Sequence, residues 1–251
     1  MGGFIERIDP LLIAVTVLLA MLGAWCIGWR SAKPESSEDP GMKFTDAALA
    51  LLGLLLAFTF SLSLVRHDQR RAMVIAESNA IGDFFTCASL LEEPQRSRLQ
   101  GAIREYAQFK LDTVRHLWSE ADLEEKIRWA QEMHGRMTAL VAEALGKGTP
   151  IAVPLTNALN NVTSGHASRL AAYRERLPWI IVVLLLLGAL VPSFLMGLQQ
   201  GKSPRPHFSG TLCFFLLVTL VIYVIFDLNQ PSSGTIQVSQ EPFERLLQSM
   251  K

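Results

Sequence analysis

Thr59, Ser63, Arg66 and Arg70 follow one another at intervals of four, three and four residues. On an α-helix that spacing puts them on one face, because residues three and four apart lie one above the other. The row changes from hydroxyl to guanidinium groups along its length, and Met73 and Glu77 extend it. A hydroxyl-lined path opening onto a ring of arginines, repeated in several copies around an axis, selects and concentrates anions. Phe58 and Phe60, beside the row, are the side chains available for an apolar constriction. A plainer alternative stays open. Hydroxyls in apolar helices bond back to their own backbone, and arginines at a helix end pair with lipid phosphates.

Other chemistry is sparse. The histidines at 67, 116, 134, 166 and 207 are dispersed, and none has a second His or a Cys at metal-ligand spacing. Glu92-Glu93 and Glu124-Glu125 fall where helices begin, where acids stabilise the positive end of the dipole. There is no phosphate-binding glycine loop, nucleophile elbow or His-Glu-x-x-His. The expectation is no catalytic residue, no metal, no cofactor and no enzyme. Cys26, Cys87 and Cys213 build neither a disulfide framework nor a zinc site. With 23 basic and 23 acidic residues, no excess of positive charge speaks for nucleic acid.

The elements that must carry the row are set by charge-free length. The chain is 50% hydrophobic with a mean hydropathy of +0.28, and its charge is confined to some stretches and missing from others. Crossing about 30 Å of hydrocarbon at about 1.5 Å per residue takes about 20 apolar residues. Four runs meet this need: between Asp9 and Arg30, Asp46 and Arg66, Arg176 and Lys202, and Arg205 and Asp227. They predict helices over about 10–29, 46–65, 178–198 and 207–227, in the lipid bilayer. Trp25, Trp29, Trp179 and Tyr223 lie near the ends of these runs, as interface anchors do. The first run lacks a small-x-small cleavage site, and Trp25 before Cys26 spoils a lipobox, so it reads as a retained helix.

Four spans place both termini and the insert between the second and third spans on one side. Arg7, Arg66, Arg70, Arg71, Arg169, Arg174, Arg176 and Arg245 flank the membrane there, against Arg30, Lys33, Lys43, Lys202 and Arg205 on the other side. The positive-inside rule makes that first side cytoplasmic.

The insert, 66–176, has apolar residues at helical spacing. Leu99, Ala102, Ile103, Tyr106, Phe109, Lys110, Thr113, Val114 and Leu117 form one mostly apolar face, and Leu123, Ile127, Ala130, Met137, Leu140, Val141 and Ala144 form another. Glu92-Glu93-Pro94 reads as a helix start and Gly146 to Pro150 as a stop. The second span is expected to run on through Phe85, and a helix from Leu155 to lead into the third span. The tail, 228–251, opens with a turn at Asn229 to Gly234 and ends in a short helix with Phe243, Leu246 and Leu247 on one face, capped by Ser239. The organisation is therefore a first transmembrane pair (1–65), a cytoplasmic helical domain (66–176), a second pair (177–227) and a cytoplasmic tail (228–251), in an all-α membrane protein.

Leu56-Ala57-Phe58-Thr59-Phe60-Ser61-Leu62-Ser63-Leu64-Val65-Arg66-His67-Asp68-Gln69-Arg70-Arg71, followed by Glu77-Ser78-Asn79-Ala80-Ile81-Gly82, resembles a bacterial bestrophin-like family of membrane proteins of unknown function. The Arg104-Glu105-Tyr106 region, Asp227-Leu228-Asn229-Gln230-Pro231-Ser232-Ser233-Gly234, and the order of spans and insert fit it as well. The resemblance runs from about Phe44 to the end. More distantly it is similar to the bestrophins, pentameric anion channels whose second helix lines a narrow neck and leaves the membrane with an Arg followed by aromatics. Arg66 matches that Arg, but His67-Asp68-Gln69 replaces the aromatics. Asp227, Glu241 and Glu244 do not amount to the acidic calcium clasp of animal bestrophins.

The resemblance implies a bacterial inner-membrane protein, a homo-oligomer (pentameric) and a passive channel for inorganic anions lined by the second helix. The rival reading is a non-conducting adaptor or sensor whose helical domain binds a partner through the faces around Tyr106 and Leu140. An acid-coupled transporter fits poorly, since no span holds a carboxylate at mid-depth.

Overall fold

A computed structural model describes residues 9–32, 41–114, 120–175, 177–203, 208–230 and 234–251. Eight helices are described: α1 Pro10–Ser31, α2 Gly41–Ser89, α3 Gln95–Val114, α4 Glu120–Gly146, α5 Ala152–Arg174, α6 Trp179–Lys202, α7 Phe208–Asn229 and α8 Glu241–Ser249. Four of them hold stretches long and apolar enough to cross a membrane, in α1, α2, α6 and α7. The chain divides into two compact units, Met1–Arg66 with Arg176–Ile236, and His67–Glu175 with Gln237–Lys251.

The first unit holds the apolar stretches. Asp9 caps α1 by accepting the Leu11 N–H at 2.8 Å, and Pro10 begins the helix without a donor to lose. α1 packs against α6 and α7 around Val17, Met21, Leu52, Leu56, Leu185, Ala189, Phe215 and Ile222. Lipid tails are as apolar as leucine, so such helices associate by close packing rather than by escape from water. Small residues make the closeness possible: a side chain at Gly28 would strike the Phe194 carbonyl, and one at Gly197 the Trp25 carbonyl. α2 meets α6 at Gly188, where an added Cβ would come within 2.9 Å of Leu55. Trp25, Trp29 and Phe208 stack edge and face at one end, and the Trp25 indole N–H donates to Gln200 at 3.2 Å. The remaining surface is greasy, with Leu19, Leu54, Leu187, Leu217 and Leu220 all exposed.

The second unit is a helical bundle with one apolar core, into which a few polar residues, Glu77 and Lys110 among them, are also buried. α3 and α4 pack together with Ile81, Phe84, Leu99, Ile103, Tyr106, Met137, Val141 and Leu155 inside. α4 stops at Gly146, and Gly148 takes φ +80°, a conformation that suits glycine. The tail helix belongs to this core: Phe243 and Met250 are buried in it, and the Arg104 guanidinium donates to the Met250 carbonyl at 2.7 Å. The N-cap of α8 is Gln240 rather than the expected Ser239, whose hydroxyl lies one residue earlier and accepts the Glu241 N–H at 3.3 Å.

Two sequence expectations need correction. The helix from Leu155 does not run into the third span: α5 ends at Arg174, Glu175 is extended, and α6 begins at Trp179. Pro178 accounts for the break, since it lacks an N–H and disfavours a helical residue before it. The faces around Tyr106 and Leu140 are no open contact surface either: Tyr106 is fully buried and Leu140 packs on the same core. The turn positions 231–233 and the side chains of Thr113, Val114, Leu117 and Leu123 lie outside the described residues.

Candidate functional site

α2 runs without a break from the apolar stretch through Glu77 to Ser89. Its buried side follows helical spacing: Leu52, Leu56, Thr59 and Ser63 in the first unit, then Arg70, Val74, Glu77, Ile81, Phe84 and Ala88 in the second. The row Thr59–Ser63–Arg66–Arg70 therefore lies on the side turned toward the chain's own helices, with Arg66 half-buried. Phe58 points outward with 62% of its surface exposed, and Phe60 is also exposed. One step along a helix turns about 100°, so Phe58 and the Thr59 row occupy different faces.

The hydroxyls of the row differ. Thr59 Oγ1 donates to its own backbone, the Leu55 carbonyl, at 2.7 Å, which is the plain use of such a group. Ser63 Oγ and Arg66 Nη1 are buried with no hydrogen-bond partner among the described residues. Buried polar atoms are nearly always paired, with protein or with water, and Thr219 Oγ1 of α7 shares this condition.

At the end of α7, Asp227 is buried and accepts three bonds from the returning chain: Thr235 N–H and Oγ1–H at 2.8 Å each, and Ile236 N–H at 2.9 Å. Gly234 permits this, because a Cβ there would lie 2.7 Å from the Asp227 carbonyl. Asn229 Oδ1 accepts the Leu177 N–H at 3.2 Å and so ties the end of α7 to the approach of α6. Asp227 thus holds the chain at Thr235 and Ile236 through two backbone N–H groups and one hydroxyl.

The second unit holds a cluster that sequence reading passed over. Glu77 has no exposed surface, and its carboxylate meets Lys110 Nζ at 2.6 Å and Arg169 Nη1 at 2.8 Å. The Tyr106 hydroxyl lies 3.4 Å from Glu77 Oε1, and His134 Nε2 lies 3.1 Å from that hydroxyl. Lys110 Nζ is also 2.6 Å from His166 Nδ1, and Arg169 gives its other nitrogen to Gln240 at 3.2 Å. Burial lowers the Lys110 ammonium to about 8 against the pull of Glu77. Burial, helped by the neighbouring His166 ring and the Lys110 charge, lowers His134 to about 4, and burial with the Glu77 charge raises Tyr106 well above its ordinary value. One sign was readable: Lys110 interrupts an otherwise apolar face. The histidines gave none, since His134 and His166 come together only through the packing of α4 and α5.

Among the described residues no group of three His, Cys, Asp or Glu is placed to hold a metal ion. Residues 13–243 match the family model described as the Bestrophin-like domain. No curated protein and no solved structure matches the chain.

Proposed function

The chain belongs to the bestrophin-like family, and from that premise we propose that it is a subunit of an oligomeric passive ion channel that prefers anions, with α2 as its pore helix. The observation that carries the reading is the pair of buried, unpartnered polar atoms, Ser63 Oγ and Arg66 Nη1, in the apolar unit beside a fixed positive charge. An anion or its water supplies acceptors to both. Phe58 supports an assembly. It faces away from its own chain, so it narrows a path only where copies meet around an axis. Thr59, Ser63 and Arg66 occupy another face of α2 and meet the anion there, and Arg70, further along α2, extends the positive potential. The count of flanking Arg and Lys residues supports a cytoplasmic side for the termini and the helical domain, and the family resemblance supports a bacterial inner membrane.

Halide flux into liposomes containing the purified protein tests this, beside an Arg66→Glu, Arg70→Glu variant. Wild-type flux that is abolished or turned to cations in the variant is the expected result. Unchanged selectivity removes both arginines from the path. No wild-type flux across pH and membrane potential, from folded protein, favours the adaptor reading.

A further inference from the structure

Glu77 is the meeting point of the whole helical unit. α2 supplies the carboxylate, α3 Lys110 and Tyr106, α5 His166 and Arg169, and α4 adds His134 through the Tyr106 hydroxyl. The segment before α8 joins through Gln240, and the Arg169 guanidinium lies 5.1 Å above the Phe243 ring. The hydrogen positions follow from valence. An ammonium has only donors, so His166 Nδ1 accepts from Lys110, and the ring is neutral with its hydrogen on Nε2. The Tyr106 hydroxyl has one hydrogen, which goes to the Glu77 carboxylate, so it accepts from His134 Nε2–H and leaves His134 Nδ1 to take a proton.

The charge balance has no room for another cation. One carboxylate already faces an ammonium and a guanidinium, and Glu77, Tyr106 and Lys110 are nearly or wholly hidden from water that would screen them. The two imidazoles are 5.2 Å apart, centroid to centroid. Among the described residues, the charged and titratable groups in this cluster besides the two imidazoles, His134 from α4 and His166 from α5, are Glu77 from α2, Tyr106 and Lys110 from α3, and Arg169 from α5, with a single carboxylate among them. We propose that this cluster is an acid-sensitive lock on the helical unit: a proton taken up at His134 Nδ1 sets an imidazolium beside the Lys110 ammonium, drives α4 away from the Glu77 hub and loosens its packing on α5. The sign agrees with the lowered value of His134. The closed unit resists a proton that the opened one accepts at its ordinary value, so opening gains as pH falls from about 6.5 toward 4. The lock belongs to the helical unit and stands apart from the conduction reading.

Hydrogen–deuterium exchange on the full chain in detergent at pH 7.5 and 5.0, scaled to the intrinsic exchange rate, tests it. Amides of residues 125–170 are expected to open about tenfold more readily at pH 5.0, while α1 and α7 hold. A His134→Gln, His166→Gln variant is expected to show no difference between the two pH values. His134→Phe, which keeps a ring beside Tyr106 and takes no proton, serves where the double variant fails to fold, and its response should shrink. Equal protection of the wild type at both pH values overturns the lock. So does an equal rise in α1 and α7, or an undiminished response in the variants.

Discussion

A single carboxylate organises the helical unit, and its removal has a calculable sense. Glu77→Gln leaves the buried Lys110 and the half-buried Arg169 without their counter-charge, and breaking a buried pair from one side costs about 3–5 kcal/mol. The melting temperature of the purified protein is expected to fall accordingly. Adding Lys110→Met to Glu77→Gln should recover part of that loss, because the uncompensated ammonium is then gone. A double variant less stable than the single one would mean that packing, rather than charge, holds these helices. The exposed pairs Arg98–Glu143 and Arg136–Glu105 are a contrast, since water screens them and their loss should change little. Little of this hub was legible beforehand. Its members lie far apart in the chain, and only Lys110, on an apolar face, broke a pattern.

Between helices, contact is set by what is absent from the side chains. Gly28 and Gly197 let the backbones of α1 and α6 touch, so Gly28→Leu or Gly197→Leu is expected to push the two helices apart and lower yield and thermal stability. Gly53, around which nothing lies within 4 Å, is the control: Gly53→Ala should be neutral or stabilising by up to about 1 kcal/mol. Equal damage at Gly53 would show that the helix backbone, not the crossing, is at fault. The spacing Gly197-x-x-x-Gly201 was a readable sign of this contact. The passage of α2 out of its apolar stretch was also readable, since no proline interrupts it, whereas Pro178 in the matching place separates α5 from α6.

For the whole molecule, the conduction reading requires copies around an axis. Light scattering in mild detergent is expected to give a mass several times the 27.8 kDa of one chain, and a monomer would sink the channel. The membrane character and the order of helices were settled by sequence alone, because charge-free runs of about 20 residues, four in so short a chain, have no stable place outside lipid. The apolar faces of α3 and α4 were equally plain, since in water the period of hydrophobicity tells inside from outside. Within the apolar stretch of α2 that information is missing: lipid and protein interior are both apolar, so helical spacing defines the row Thr59–Ser63–Arg66 without saying which way it turns. Only the tertiary structure turned that row inward and Phe58 outward, through the packing of Leu52 and Leu56 in the first unit's core. Only it brought His134, His166, Lys110 and Arg169 around Glu77, because a charge buried in a bundle is matched by partners from whichever helices the packing places beside it.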